Sequence, residues 1–204
     1  MLLNLIFQGE IEMAAKPGER KLQILQTVAQ MLEQPKGEKI TTAALASRLE
    51  LSEAALYRHF ASKAQMFEGL IDFIEQTVFG LINKITKEEK SGTQQVEAIV
   101  AMLLGFAQKN RGMTRVLIGD ALVNEDERLQ QRINQLLDRI EATLKQSLRM
   151  AATQGEMGAA ADVGMHANLL VCYVIGRWQQ FAKSGFARDP AAQWSAQSAI
   201  LLGK

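Results

Sequence analysis

Apolar side chains recur every third or fourth position from Phe67 through Leu70, Ile71, Ile74, Val78, Leu81 and Ile82 to Ile85. At 100° per residue these positions share one face of a helix, whereas the two-residue period of a strand would scatter them over both faces. The pattern predicts a helix of about six turns that opens at Ser62. Only three prolines occur, Pro17, Pro35 and Pro190, and each stands where a helical pattern begins or ends. Long helices are therefore permitted along the whole chain.

The remaining segments follow the same period. Leu22, Leu25, Val28, Ala29 and Leu32 predict a first helix ending near "EQPKGE". Thr41 or Thr42 caps a short second helix, and Ser52 caps a short third. Val96 to Lys109 is apolar on most sides, as a central buried helix should be, and "NRG" ends it. A short element, Met113 to Val123, precedes a long amphipathic helix marked by Leu129, Ile133, Leu136, Leu137, Ile140, Leu144 and Leu148. Glycines in "QGEMGAAAD" close it, and two last helices run from Asp162 to Lys183 and from Pro190 to Leu202. Strand alternation and fixed-period repeats are absent from the sequence. The expected fold is all-α with about nine helices: an N-terminal helix-turn-helix domain over residues 13–62 and a C-terminal helical dimerisation and regulatory domain over 63–204. Residues 1–12 read as an alternative start or a tag remnant, since "NLIFQG" is close to a protease-tag site, and they make a poor signal peptide.

Composition narrows the class. A hydrophobic content of 48% suits a packed core. The longest apolar runs, Ile99 to Ala107 and Ala167 to Gly176, are about half the ~20 residues that cross a bilayer. One cysteine, Cys172, excludes an internal disulfide. The segment Leu169 to Phe181 is apolar on too many faces for a surface helix, so it is either the bundle centre or a face shared with a second copy. Trp178, Phe181 and Trp194 are the large residues expected at that contact, and the reading favours a homodimer.

Chemistry concentrates in "TTAALASRLELSEAALYRHF". Ala44, Leu45 and Leu49 can pack inward, Leu51 fills a tight turn, and Leu56 and Phe60 pin the following helix. Ser52, Glu53, Ala54, Ala55, Tyr57, Arg58 and His59 are left on the open side. Small Ala54 and Ala55 allow close approach to base edges, Ser52, Tyr57, His59 and Lys63 suit phosphates, and Arg58 reaches either. On spacing alone, a DNA-reading edge and an ordinary surface helix with an aromatic tip remain equally open. Between Glu19 and Lys63 there are seven Lys or Arg against five Asp or Glu, a balance of +2, so bulk charge gives only weak non-specific affinity.

The wording of this stretch is more specific than its charge. "ITTAALASRLELSEAALYRHFASKAQMF" strongly resembles the TetR-type DNA-binding domain, whose hallmark corresponds to Tyr57, His59, Phe60, Ser62 and Lys63. The resemblance implies Tyr57, His59 and Lys63 on phosphates, Thr41 and Thr42 against the DNA backbone, and the leading recognition-helix positions on bases. "LIDFIE", "LLGFAQKNRGMTRVLIGDAL" and "EDERLQQRINQLLDRIEA" extend the likeness, over roughly residues 20–150, to the nucleoid-occlusion branch of that family. That branch implies a cytoplasmic dimer on the nucleoid. It binds palindromic DNA, with one dimer or several per site, and when on DNA antagonises the division GTPase FtsZ so that no septum forms over the chromosome.

A second surface is visible in the residues. Met66 and Phe73 lie together on one flank of the long helix and Phe79 on the other, as exposed apolar contacts would. Met102, Gly105 and Lys109 share the face turned away from Val96, Val100, Leu103 and Ala107. Gly105 costs its helix roughly 1 kcal/mol relative to Ala, which either an approaching partner or packing within the chain would explain, the latter more simply on the residues alone. The resemblance implies an FtsZ contact near Phe73, Leu81, Met102, Gly105, Lys109 and Asn110. Leu81 departs from an arginine in relatives, and the basic N-terminal arm, Lys16, Arg20 and Lys21, is thin.

Other functions are weighed against this. His59 and His166 are far apart in sequence, Cys172 falls in an apolar run where it should be packed, and neither a phosphate loop nor a cluster of metal ligands is present. The expectation is no enzyme, with no catalytic residue, cofactor or metal. The alternatives are a ligand-responsive TetR-type repressor, with Asn168, Tyr173 and Gln179 as candidate pocket groups, and an interaction bundle without DNA.

Overall fold

Six helices begin where a side chain accepts an otherwise orphaned backbone N–H. Thr41 Oγ1 accepts from Ala44 N at 3.1 Å, Ser52 Oγ from Ala55 N at 3.1 Å, Ser62 Oγ from Gln65 N at 3.1 Å and Ser91 Oγ from Gln94 N at 3.2 Å. Asp126 accepts from Arg128 N at 3.0 Å, and Asp162 from Gly164 N at 2.8 Å and Met165 N at 3.1 Å. Hydrogen bonds from the Arg128 side chain and backbone hold the Asp126 carboxyl down to about 2, so this cap stays ionised throughout the neutral range.

The computed structural model describes residues 17–34, 40–158 and 162–203; the segment 1–12, Lys16 and Pro35 lie outside them. The described residues hold α1 (Pro17–Leu32), α2 (Thr42–Arg48), α3 (Glu53–Tyr57), α4 (Lys63–Glu88), α5 (Gly92–Lys109), α6 (Arg111–Leu117), α7 (Glu127–Thr153), α8 (Val163–Lys183) and α9 (Trp194–Leu201). A 3-10 turn, Asp120–Leu122, precedes α7, and there is no strand among the described residues. The all-α expectation and its nine helices hold for these residues. None of their helices is long and apolar enough to cross a membrane.

One apolar cluster runs from Ile24 in α1 to Leu202 after α9. The central helix is α5, which packs against α4, α6, α7 and α8. Arg132 of α7 ties itself to α4 through Asp72 at 2.7 Å and Glu75 at 2.6 Å. The turn between α4 and α5 is fastened to the end of α7: Gly92 N donates to Gln154 Oε1 at 2.8 Å, and Gln154 Nε2 donates to Lys90 O at 2.8 Å.

Several side chains sit differently from the expectation. In α1 the buried stripe runs through Ile24 and Val28, and Leu22 is turned outward, because α1 packs against both α4 and α6. Met66 and Phe79, expected as exposed flanks, are 1% and 6% exposed, since α4 is covered by α1, α5, α6 and α7 together. Trp178, Phe181 and Trp194 are not available for a second copy. Trp178 Nε1 donates to Leu103 O at 3.1 Å and Trp194 Nε1 to Glu97 O at 3.2 Å, both on α5, while Phe181 stacks edge-on against Phe186. Cys172, expected to be packed, is exposed. The large apolar side chains left outward on α8 and α9 are Met165, Leu169 and Ile200.

Two helical glycines mark backbone contacts that no side chain would allow. A Cβ on Gly112 would lie 1.9 Å from Ala29 O, and one on Gly92 would lie 2.2 Å from Ala151 N. Gly112 therefore seats α1 directly on α6. Replacing Gly112 with Ala should separate these helices and lower stability by about 1–3 kcal/mol, despite the better intrinsic helix propensity of Ala. Thermal unfolding of the variant checks this, and a stability equal to or above the parent would contradict the contact.

Candidate nucleic-acid interface

The turn between α2 and α3 closes by backbone geometry. Glu50 adopts a left-handed φ of 54°, Glu50 N donates to Ser47 O at 3.1 Å and Leu51 N donates to Ala46 O at 2.9 Å. This paired closure ends α2 abruptly and lets Ser52 cap α3 three residues after Leu49. Leu45, Leu49, Leu56 and Phe60 are buried and Leu51 is half-buried, as expected, whereas Ala44, expected to pack inward, is exposed and Ala46 is buried in its stead. The Phe60 ring fits over Gly69 of α4, where a Cβ would approach its Cε1 to 3.2 Å. The helix pair is thereby fixed on α4.

Its open side carries the expected residues. Ser52, Glu53, Ala54, Tyr57 and Arg58 are exposed, while Ala55 and His59 are half-buried. The hydroxyls differ in what they have left to give. Among the described residues Thr41 and Ser52 only accept, from helix N–H groups, so each keeps an O–H proton that it can donate. Thr42 instead donates its proton to Glu53 Oε2 at 2.6 Å. In this arrangement the Thr42 hydroxyl orients the Glu53 carboxylate. Two further cations are also engaged within the chain: Arg20 with Gln23, and Lys21 with its ammonium 5.6 Å from the Phe60 ring centroid.

Lys63, the first residue of α4, is paired with Glu125 in the loop before α7. Glu125 was not a predicted site residue. It lies in an ordinary acidic run, "EDER", and only the fold brings it to the reading head.

The candidate second surface lies along α4 and α5, which are joined by residues 89–91. Phe73, Leu81, Met102, Gly105 and Asn110 are half-buried, and Lys109 is exposed. Phe73 and Met102 rest against the core and keep an outer edge in solvent. Apart from its own stretch of helix, no described atom lies within 4 Å of a Cβ built on Gly105, so packing among the described residues does not account for this glycine. Asn110 marks the break between α5 and α6, its Nδ2 donating to Phe106 O at 2.8 Å.

The three polar groups weighed for a ligand pocket do not converge. Asn168 Nδ2 donates to Glu141 at 3.2 Å, Tyr173 Oη to Gln197 at 2.7 Å, and Gln179 lines a separate shallow surface with Lys183 and Arg188. A cleft of about 520 Å³ instead opens between α4, α5 and α7, lined by Asn83, Gln95, Thr143, Gln146 and by Arg139 stacked on the Phe79 ring.

Comparison with known proteins covers both regions. The family model described as bacterial regulatory proteins of the tetR family matches residues 29–70, and the SlmA-like tetracyclin repressor-like C-terminal domain matches residues 90–204. The chain is 50% identical over 184 residues to the nucleoid occlusion factor SlmA of Alteromonas mediterranea, covering 90% of this chain and 94% of that protein. It is 48% identical over 189 residues to the SlmA of Marinomonas sp. (strain MWYL1), covering 93% and 96%. A TetR family transcriptional regulator from Agrobacterium tumefaciens shares the fold, with a TM-score of 0.76 at 16% identity over 92% of this chain and 98% of that one. By its sequence and both of its family matches, the chain belongs to the SlmA family of nucleoid occlusion factors, a TetR-type group.

Proposed function

We propose that this protein is a sequence-specific DNA-binding nucleoid occlusion factor that, when bound to DNA, antagonises FtsZ assembly and blocks septum formation over the chromosome. The observation that carries the reading is the near-full-length identity to SlmA proteins, which spans both the helix-turn-helix edge and the second surface on α4 and α5. The protein acts on the nucleoid as a homodimer. Met165 and Leu169 of α8, with Ile200 of α9, supply the exposed apolar face for the second copy, and two reading heads then suit a palindromic site.

On DNA, Thr41 and Ser52 donate to phosphates, Tyr57, His59 and Lys63 add contacts to the backbone, and Arg58 extends from the end of α3. The leading residues of α3, Glu53, Ala54 and Ala55, meet base edges. Glu53, oriented by Thr42, offers an acceptor-only carboxylate, which fits the amino group of cytosine. FtsZ is met by Phe73, Leu81, Met102 and the notch at Gly105, with Lys109 and Asn110 at the rim. A ligand-responsive repressor is the second reading, supported by the cleft between α4, α5 and α7.

Lys63→Ala should weaken binding to every DNA sequence and flatten the plot of log affinity against log salt by about one unit of slope. Titrations at several salt concentrations test it, and a loss confined to one base position would refute a phosphate role. Thr42→Ala, by contrast, should leave the salt slope unchanged and alter base preference, because its hydroxyl is committed to Glu53. An equal loss on all sequences would show that Thr42 reaches phosphate after all.

Sedimentation of FtsZ polymers with and without the protein and its DNA site tests the division role. The parent should reduce the pellet most when DNA is present. Gly105→Ala should stabilise the isolated fold by about 0.5–1 kcal/mol, since a methyl there meets only solvent, yet lessen the effect on FtsZ. FtsZ left untouched by the parent, together with a metabolite that releases the DNA, would instead establish the ligand-responsive repressor.

A further inference from the structure

Lys63 and Glu125 form an ion pair across 62 residues of sequence, with side chains only 28% and 19% exposed. The ammonium also lies 5.7 Å from the Phe67 ring centroid. Both partners are held in place. Ser62 caps the start of α4, and Ala61 N donates to Gln65 Oε1 at 2.8 Å, which fixes the backbone on either side of Lys63. Glu125 follows the left-handed Asn124 (φ 67°), donates its N–H to Leu122 O at 3.0 Å and precedes the α7 cap. The cation nearest along the chain, Arg128, is taken by Asp126 at 2.7 Å. The loop is anchored further back at Asp120, which meets Lys183 of α8 at 2.5 Å. Glu125 therefore belongs to a platform fastened to the C-terminal helices, and Lys63 belongs to the edge of the reading head.

We infer that Glu125 competes with DNA for Lys63, holding the ammonium in the free protein and releasing it when a phosphate takes its place. The inference rests on the reading of Lys63 as a phosphate contact. An ammonium has three donors, so geometry alone would allow both partners, but a carboxylate beside the lysine cancels most of the charge that attracts a polyanion and repels the phosphate itself. Binding at full strength requires the pair to open. Opening it removes one tie between the start of α4 and the loop that leads into α7.

The test is DNA binding by Glu125→Gln, Lys63→Ala and the double variant over a range of salt. Glutamine keeps the shape and removes the charge, and melting curves confirm that each variant is folded, with Glu125→Ala as a second probe of the same direction. Glu125→Gln should tighten binding to all sequences roughly threefold. It should also steepen the salt dependence by up to about one unit, a readout that a merely structural role would leave alone. In the Lys63→Ala background the same change should have little effect. A full gain persisting there would mean simple through-space repulsion and would overturn the competition. Weaker or unchanged binding by Glu125→Gln, with Lys63→Ala still impaired, would overturn it too and leave the phosphate role standing. If Lys63→Ala binds DNA normally, the phosphate role and the competition both fall.

Discussion

The close seat of α1 on α6 at Gly112 is the contact on which the rest of the arrangement depends. Where an alanine would drive its methyl to 1.9 Å from Ala29 O, glycine lets two backbones touch. The side of α1 that rests on α6 is continuous with the buried residues Ile24 and Val28, which pack the helix-turn-helix into the common core. On its other side α6 follows α5 with only Asn110 between them, and Thr114 bonds back to both Ala107 O and Asn110 O at 3.0 Å. The rim of the second surface is thus one helix away from the support of the first.

The long helix α4 joins the same two regions by another path. Its first residue, Lys63, stands at the reading head, and Phe73 and Leu81 lie further along it toward the turn into α5. Because the N-terminal segment carries so little net charge, DNA affinity depends on where single donors are placed. Arg20 and Lys21 are spent on Gln23 and Phe60. Under the proposed function that places weight on Thr41, Ser52 and Lys63, and it makes the pairing of one lysine with one glutamate consequential.

What was legible in the sequence was what is local. The cap at Thr41 or Thr42, the cap at Ser52 and the start of α4 at Ser62 depend on a side chain and an N–H three residues away, and the stripes of α4 and α7 on a fixed angle per residue. Both are properties of short windows, and both hold in the structure. Burial around a helix is not local. A single apolar stripe predicts exposed flanks at Met66 and Phe79, whereas four helices surround α4 and bury both. Trp178 and Trp194 looked like contact residues for a partner, and their indole N–H groups instead found backbone carbonyls of α5. Within the site, Thr42 and Glu53 are eleven residues apart, and Lys63 and Glu125 sixty-two, so no periodicity could pair them. Helical spacing alone put Met102, Gly105 and Lys109 on one face, and the family likeness joined Phe73, Leu81 and Asn110 to them.

The helical glycines separate folding from function in this chain. Each one lowers the stability of its helix by up to about 1 kcal/mol relative to alanine. At Gly112, Gly92 and Gly69 the fold itself uses the missing methyl, since backbone or a core ring occupies the space. At Gly80, Gly105 and Gly176 nothing lies within 4 Å of where a Cβ would stand. The folded monomer draws no packing benefit from those three, so its own stability gives no reason for them. They sit on α4, α5 and α8, the helices to which the proposed function assigns the second surface and the face for another copy. An approaching partner backbone is the physical agent that can make use of an absent side chain, and Gly105, flanked by Met102 and Lys109, is where such an approach is supported by both apolar edge and charge.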